Sequence, residues 1–246
     1  MEYDEFISAS DESKHKERRV MVGGGAVQLE GVLSIPEGAH ALVVVAYERM
    51  GTSEYILDAL YDLRDASRRA GLATLLVNLL TPENEALDKT TGFFRENVAV
   101  LHHRMKGITN WLIDNVQPQS TNLGYFGVGV SAAAALAAAA IRPDAVHAIV
   151  AVAPRSDLVS SYLPRVVTPT LLISAERDTL ELDMSRKALS ELTSDTKLDI
   201  VREAREHGLS HTLKAIPDVV NVFENGQSLQ KVEQLATQWF TRYLSA

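Results

Sequence analysis

The sequence contains no cysteine, which excludes disulfides, thiolate metal sites and a cysteine nucleophile and fits a reducing, cytoplasmic compartment. It also lacks a basic excess. With 24 Lys and Arg against 32 Asp and Glu, the net charge is -8; nucleic acid is not an expected partner, because phosphate contacts require clustered cations. No apolar run approaches the ~20 residues of a membrane helix, the alanine-rich Val128 to Ile141 being too short. The N-terminal stretch is acidic where a secretory signal would be basic, so neither export nor membrane insertion is expected. No glycine-rich loop precedes a helix, since Gly23-Gly24-Gly25 leads into a strand. His102 and His103 are adjacent and therefore point to different helical faces, which is unsuitable for a metal pair. No cofactor and no metal are expected.

What remains is the composition of an ordinary globular domain, with 46% hydrophobic and 23% charged residues over 246 positions. Short Val-, Leu- and Ile-rich runs alternate with segments of helical period, the pattern of a parallel sheet covered on both faces. Eight strands are predicted: Arg19 to Val22, Val27 to Ser34, Ala41 to Ala46, Ala73 to Val77, Leu123 to Val128, Ala148 to Val152, Thr168 to Ser174 and Leu213 to Ile216. The first two, joined by three glycines, form an antiparallel edge hairpin. Helices are predicted at Tyr55 to Ala70, Thr91 to Asn115, Ser131 to Ile141, Asp183 to Leu192, Lys197 to His207 and Ser228 to Leu244. Residues 1–18, containing the run DESKHKERR, read as a flexible arm. Residues 19–246 read as one α/β domain with 197–210 as a helical insertion.

In such a sheet ligands bind beyond the C-terminal ends of the strands. There the strand Leu123 to Phe126 runs through Gly127-Val128-Gly129-Val130-Ser131-Ala132 into a helix, the setting in which a G-x-S-x-G turn presents a strained nucleophilic serine. LGYFGVGVSAAAALAAAA resembles the elbow of α/β-hydrolases of the dienelactone-hydrolase-like group. GLATLLVNLLTPENEALD, PTLLISAERDTLELD and VFENGQSLQKVEQLATQWFTRYL extend the resemblance over nearly the whole chain. The resemblance implies the α/β-hydrolase fold. It places Gly129 at the nucleophile position, Asp178 at the acid and Asn221 at the histidine. It also implies a His-Gly pair after the third strand, where this chain has Tyr47-Glu48-Arg49-Met50-Gly51. A ring and a carboxylate there narrow the pocket and bring negative charge toward a developing oxyanion. Glu48 as a new general base is the alternative.

Three functional readings follow. In the first, the chain is a catalytically degenerate hydrolase that binds a small molecule or a protein partner, since Gly129 has no attacking atom and Asn221 cannot take a proton near neutral pH. In the second, Ser131 within Gly129-Val130-Ser131-Ala132-Ala133 acts as a shifted nucleophile with Asp178 and His211, making an active hydrolase of esters or lactones. Helix capping is the plain alternative for both Ser131 and Asp178. The third is a protein-interaction or assembly role through the insertion. Arg155, in the loop after the sixth strand, either lines the pocket or pairs with Asp157 to hold its own loop.

Overall fold

The computed structural model describes residues 15–49, 54–116, 122–192 and 211–245. Eight strands form one sheet: β1 (His15–Gly23), β2 (Gln28–Pro36), β3 (Ala41–Tyr47), β4 (Leu72–Asn78), β5 (Leu123–Val128), β6 (Val146–Val152), β7 (Thr170–Ala175) and β8 (His211–Ile216). Their spatial order is β1-β2-β4-β3-β5-β6-β7-β8. β2 runs antiparallel to both β1 and β4, and β3 to β8 are mutually parallel. This is the expected mostly parallel sheet with an antiparallel N-terminal edge. The central strands are apolar at nearly every position because both faces are covered; all seven residues of β6 except His147 are buried.

Seven α-helices are described: α1 (Glu54–Arg69), α2 (Pro82–Thr91), α3 (Phe93–Glu96), α4 (Val98–Asn115), α5 (Gly129–Ile141), α6 (Thr179–Leu192) and α7 (Gly226–Leu244). One face of the sheet forms a core with α4 and α5, and the other packs on α1 and α7. The expected insertion at 197–210 and most of the expected arm lie outside the described residues.

Three expectations are corrected. Strand β1 starts at His15, inside the segment read as an arm, pairing residue by residue down to Gly23↔Gln28. Charged residues are tolerated there because an edge strand keeps its side chains in water; Arg18 and Arg19 are exposed. The helix expected from Thr91 to Asn115 is broken at Gly92, a left-handed cap at φ 66°, and again at Asn97. The segment before it, expected as loop, is α2, started by Thr81 accepting from Asn84 N–H with Pro82 in the first turn.

Candidate active site

The elbow is built by two glycines with different jobs. A Cβ on Gly127 would lie 2.6 Å from Ala132 N and 2.7 Å from Ser131 C, so only glycine lets α5 start this close to β5. Gly129 has φ 58°, the left-handed conformation in which this fold strains its nucleophile outward. A Cβ on Gly129 meets nothing within 4 Å. The left-handed turn at 129 is made by a residue with no side chain. Arg155 N–H donates to the Gly129 carbonyl at 3.1 Å, tying the loop after β6 to the elbow.

Ser131 is 1% exposed and faces backward. Its hydroxyl donates to the Val128 carbonyl at 2.8 Å and accepts from Val128 N–H at 3.3 Å. It also meets the carboxyl of Glu48, which bonds to both the hydroxyl and the backbone N–H of Ser131. Glu48 as a whole is half-buried, but one of its carboxyl oxygens is sealed from solvent. Loss of hydration dominates and pushes the Glu48 carboxyl up to about 8, against the lowering effect of the Ser131 hydrogen bonds, with Asp88 adding repulsion. The expected negative charge is therefore reduced at neutral pH. The protonated form of Glu48 is favoured at neutral pH, and its carboxyl faces Ser131.

Asp178 follows β7 and opens α6, its Oδ1 accepting from Glu181 N–H at 3.0 Å. Glu181, which the sequence reading passed over, accepts from Ala175 N–H at 3.3 Å. Desolvation, then the Asp178 charge, pushes Glu181 up to about 6. Its signal was the Asp178-Thr179-Leu180-Glu181 spacing of a helix start. Asn221 lies in the loop after β8, exposed, with Oδ1 accepting from Phe223 N–H at 2.8 Å. The loops carrying Asp178 and Asn221 are neighbours, joined by Glu176 N–H to Ile216 O and Arg177 N–H to Val219 O, both 3.0 Å.

His211 is elsewhere. It opens β8 opposite Thr170, while the Asp178 loop leaves β7 after Ala175, which pairs with Ile216. Five strand residues separate the two levels, roughly 16 Å. The structure thus does not assemble Ser131, Asp178 and His211 as a triad. Arg155 forms a two-pronged pair with Asp157, at 2.9 and 2.8 Å, which pulls the Asp157 carboxyl below its usual range. Tyr47 ends β3 half-buried, and its carbonyl accepts from Leu79 N–H at 2.7 Å.

An elbow after the fifth strand, an acid-bearing loop after the seventh and a third loop after the eighth are arranged as in the α/β-hydrolase fold of dienelactone hydrolase type. A dienelactone hydrolase from Anabaena variabilis is 37% identical and superposes with a TM-score of 0.82, covering 94% of this chain and 100% of that one. The chain belongs to the dienelactone hydrolase family. A lidless α/β serine hydrolase from Xanthomonas campestris shares the fold at a TM-score of 0.68 and 16% identity, over 94% of this chain and 96% of its own. Two Mycobacterium tuberculosis strains carry a protein named provisionally as a phosphoribosyl transferase, 32% identical over 238 residues, or 97% of this chain. The chain spans about half, 49%, of those relatives. No family model matches the sequence.

Proposed function

We propose that this chain is a catalytically degenerate dienelactone-hydrolase-like protein whose elbow serves binding and not ester cleavage. Gly129 carries the reading: the strained turn persists while open space stands where a nucleophile would project. Loss of a nucleophile alone removes about 10⁴ to 10⁶ in rate where a triad acts as a unit. The other positions agree, since Asn221 caps its own turn, Asp178 starts α6 and the Ser131 hydroxyl faces the backbone of Val128. We place the protein in the cytoplasm on its lack of cysteine, with a small molecule as the expected ligand.

The test is labelling of the full chain with a fluorophosphonate, alongside turnover of short-chain p-nitrophenyl esters. Neither stoichiometric labelling nor hydrolysis beyond about tenfold over buffer is expected. Stoichiometric labelling at Ser131 overturns the proposal in favour of an active serine hydrolase. The phosphoribosyl transferase name of the mycobacterial relatives belongs to proteins about twice this length, and we assign that activity to the half lying outside the match. Activity of this chain alone with a phosphoribosyl diphosphate donor would refute that assignment.

A further inference from the structure

A second concavity lies on the antiparallel side of the sheet. It encloses about 420 Å³, within the range of small-ligand sites. Its floor is Gly31 and Leu76, and its walls carry Arg19, Glu30, Tyr47, Arg49 and Tyr61. Strand pairing explains why side chains so distant in sequence meet. Arg19 lies opposite Val32, Val32 opposite Leu76, and Leu76 opposite Val45, so β1, β2, β4 and β3 present one continuous row on the face that α1 covers. Tyr61 of α1 roofs that row. Gly31 lets β2 approach its neighbours closely: a Cβ there would stand 3.0 Å from Leu75 Cδ1 and 3.2 Å from the Leu76 carbonyl, on the face opposite the cavity.

The Tyr47 phenol is raised by burial first and then by Tyr61, lowered by Arg49, and raised further by Glu85 and Glu30. Asn78 fixes the Arg49 backbone, its Oδ1 accepting from Arg49 N–H at 3.4 Å, and its Nδ2 donates to Glu85 Oε1 at 2.6 Å. Among the described residues, neither Arg19 nor Arg49 forms an ion pair. The lining holds the Arg19 and Arg49 guanidinium groups and the Glu30 carboxylate, with Glu85 bonded to Asn78 beside Arg49. A guanidinium grips a phosphate or carboxylate through paired N–H donors. Two phenol hydroxyls and a carboxylate offer matched partners to ligand hydroxyls, and the rings offer flat faces to a sugar. We propose that this cavity binds an anionic sugar, a polyhydroxylated body carrying a phosphate or carboxylate head held by Arg49 and Arg19. The proposal is independent of whether the elbow cleaves esters, because sugar binding and fluorophosphonate labelling are read separately.

Isothermal titration of the full chain with glucose 6-phosphate, gluconate, glucose and inorganic phosphate tests it. At least one of the two anionic sugars is expected to bind, and which one does identifies the head group. Glucose is expected to give no heat, and inorganic phosphate to bind at least tenfold more weakly. Arg49→Ala should weaken binding at least tenfold and Arg49→Lys by less. Tyr61→Phe, which keeps the ring, should weaken it about threefold, while Arg186→Ala on distant α6 should leave it unchanged. Silence toward both anionic sugars, or equal affinity for inorganic phosphate, would overturn the proposal, and so would an Arg49→Ala variant that keeps its melting temperature and binds undiminished.

Discussion

At Gly129 a φ of 58° and an unobstructed Cβ direction make opposite demands on a side chain. Space is available, but an L-residue in the left-handed region costs about 1–2 kcal/mol. Gly129→Ser should therefore fold, lower the unfolding free energy by about that amount, and show no esterase activity alone. Adding Asn221→His, beside the loop of Asp178, should bring p-nitrophenyl acetate hydrolysis above background; a folded double variant that remains inert would show that the acid and histidine loops no longer align. Glu48 gives a second prediction. Its folded value of about 8 stands above the ordinary 4.5, so the unfolded chain releases this proton between pH 4.5 and 8 while the folded chain keeps it. Stability from this group is whole below about pH 4.5 and falls as pH rises through that window, by a few kcal/mol at ~1.4 kcal/mol per unit. Urea midpoints of Glu48→Gln should lose that slope and exceed wild type at pH 8; an unchanged slope would place the carboxyl in water. The turn at Gly129 was legible in sequence, because the elbow is a local pattern. The fate of Glu48 was not, since burial of its carboxyl against α5 depends on how β3 and β5 lie side by side.

At the scale of elements, apolar runs located β3 to β7 most sharply, because parallel strands covered on both faces leave an unbroken hydrophobic signature. Helix ends were harder to place. The turn between α2 and α3 is decided by Asp88, a residue 1% exposed whose role depends on partners beyond its own helix. Asp88 Oδ1 accepts from Phe94 N–H at 2.7 Å, and Oδ2 pairs with Arg95 Nε at 3.1 Å. Nothing in the local composition distinguishes it from a surface aspartate. Asp88→Ala would strand the Phe94 N–H in a buried setting and should cost about 2–4 kcal/mol, since hydrogen bonds to charged groups exceed neutral ones. Chemical denaturation measures the loss. Asp88→Asn, which keeps an acceptor for Phe94, should recover part of it, and equal losses in the two variants would mean that charge alone matters here.

Across the whole molecule, the antiparallel edge and the helical layer meet most closely at a glycine contact. Helix α4 crosses the β1–β2 hairpin at Gly107, where an added Cβ would stand 2.2 Å from Gly25 N, 2.7 Å from Gly24 C and 3.0 Å from Gly23 O. The three glycines read from sequence as a turn are thus also the surface on which α4 rests, a long-range contact that local pattern does not reveal. The obstruction is backbone, so no rotamer change can relieve it, and the hairpin or the helix has to shift. Gly107→Ala would raise helix propensity by about 1 kcal/mol in an open helix. Here the clash should reverse the sign, giving a net loss of about 1–3 kcal/mol as in overpacked cores. Because β1 and β2 also wall the Arg19 and Glu30 side of the anionic cavity, the same substitution should weaken sugar-anion binding while leaving α5 and the elbow in place. Hydrogen exchange would separate the two regions: faster exchange is expected in β1 and β2, and unchanged protection in β5 and β6. A thermal midpoint at or above wild type would show that α4 and the hairpin are not rigidly joined.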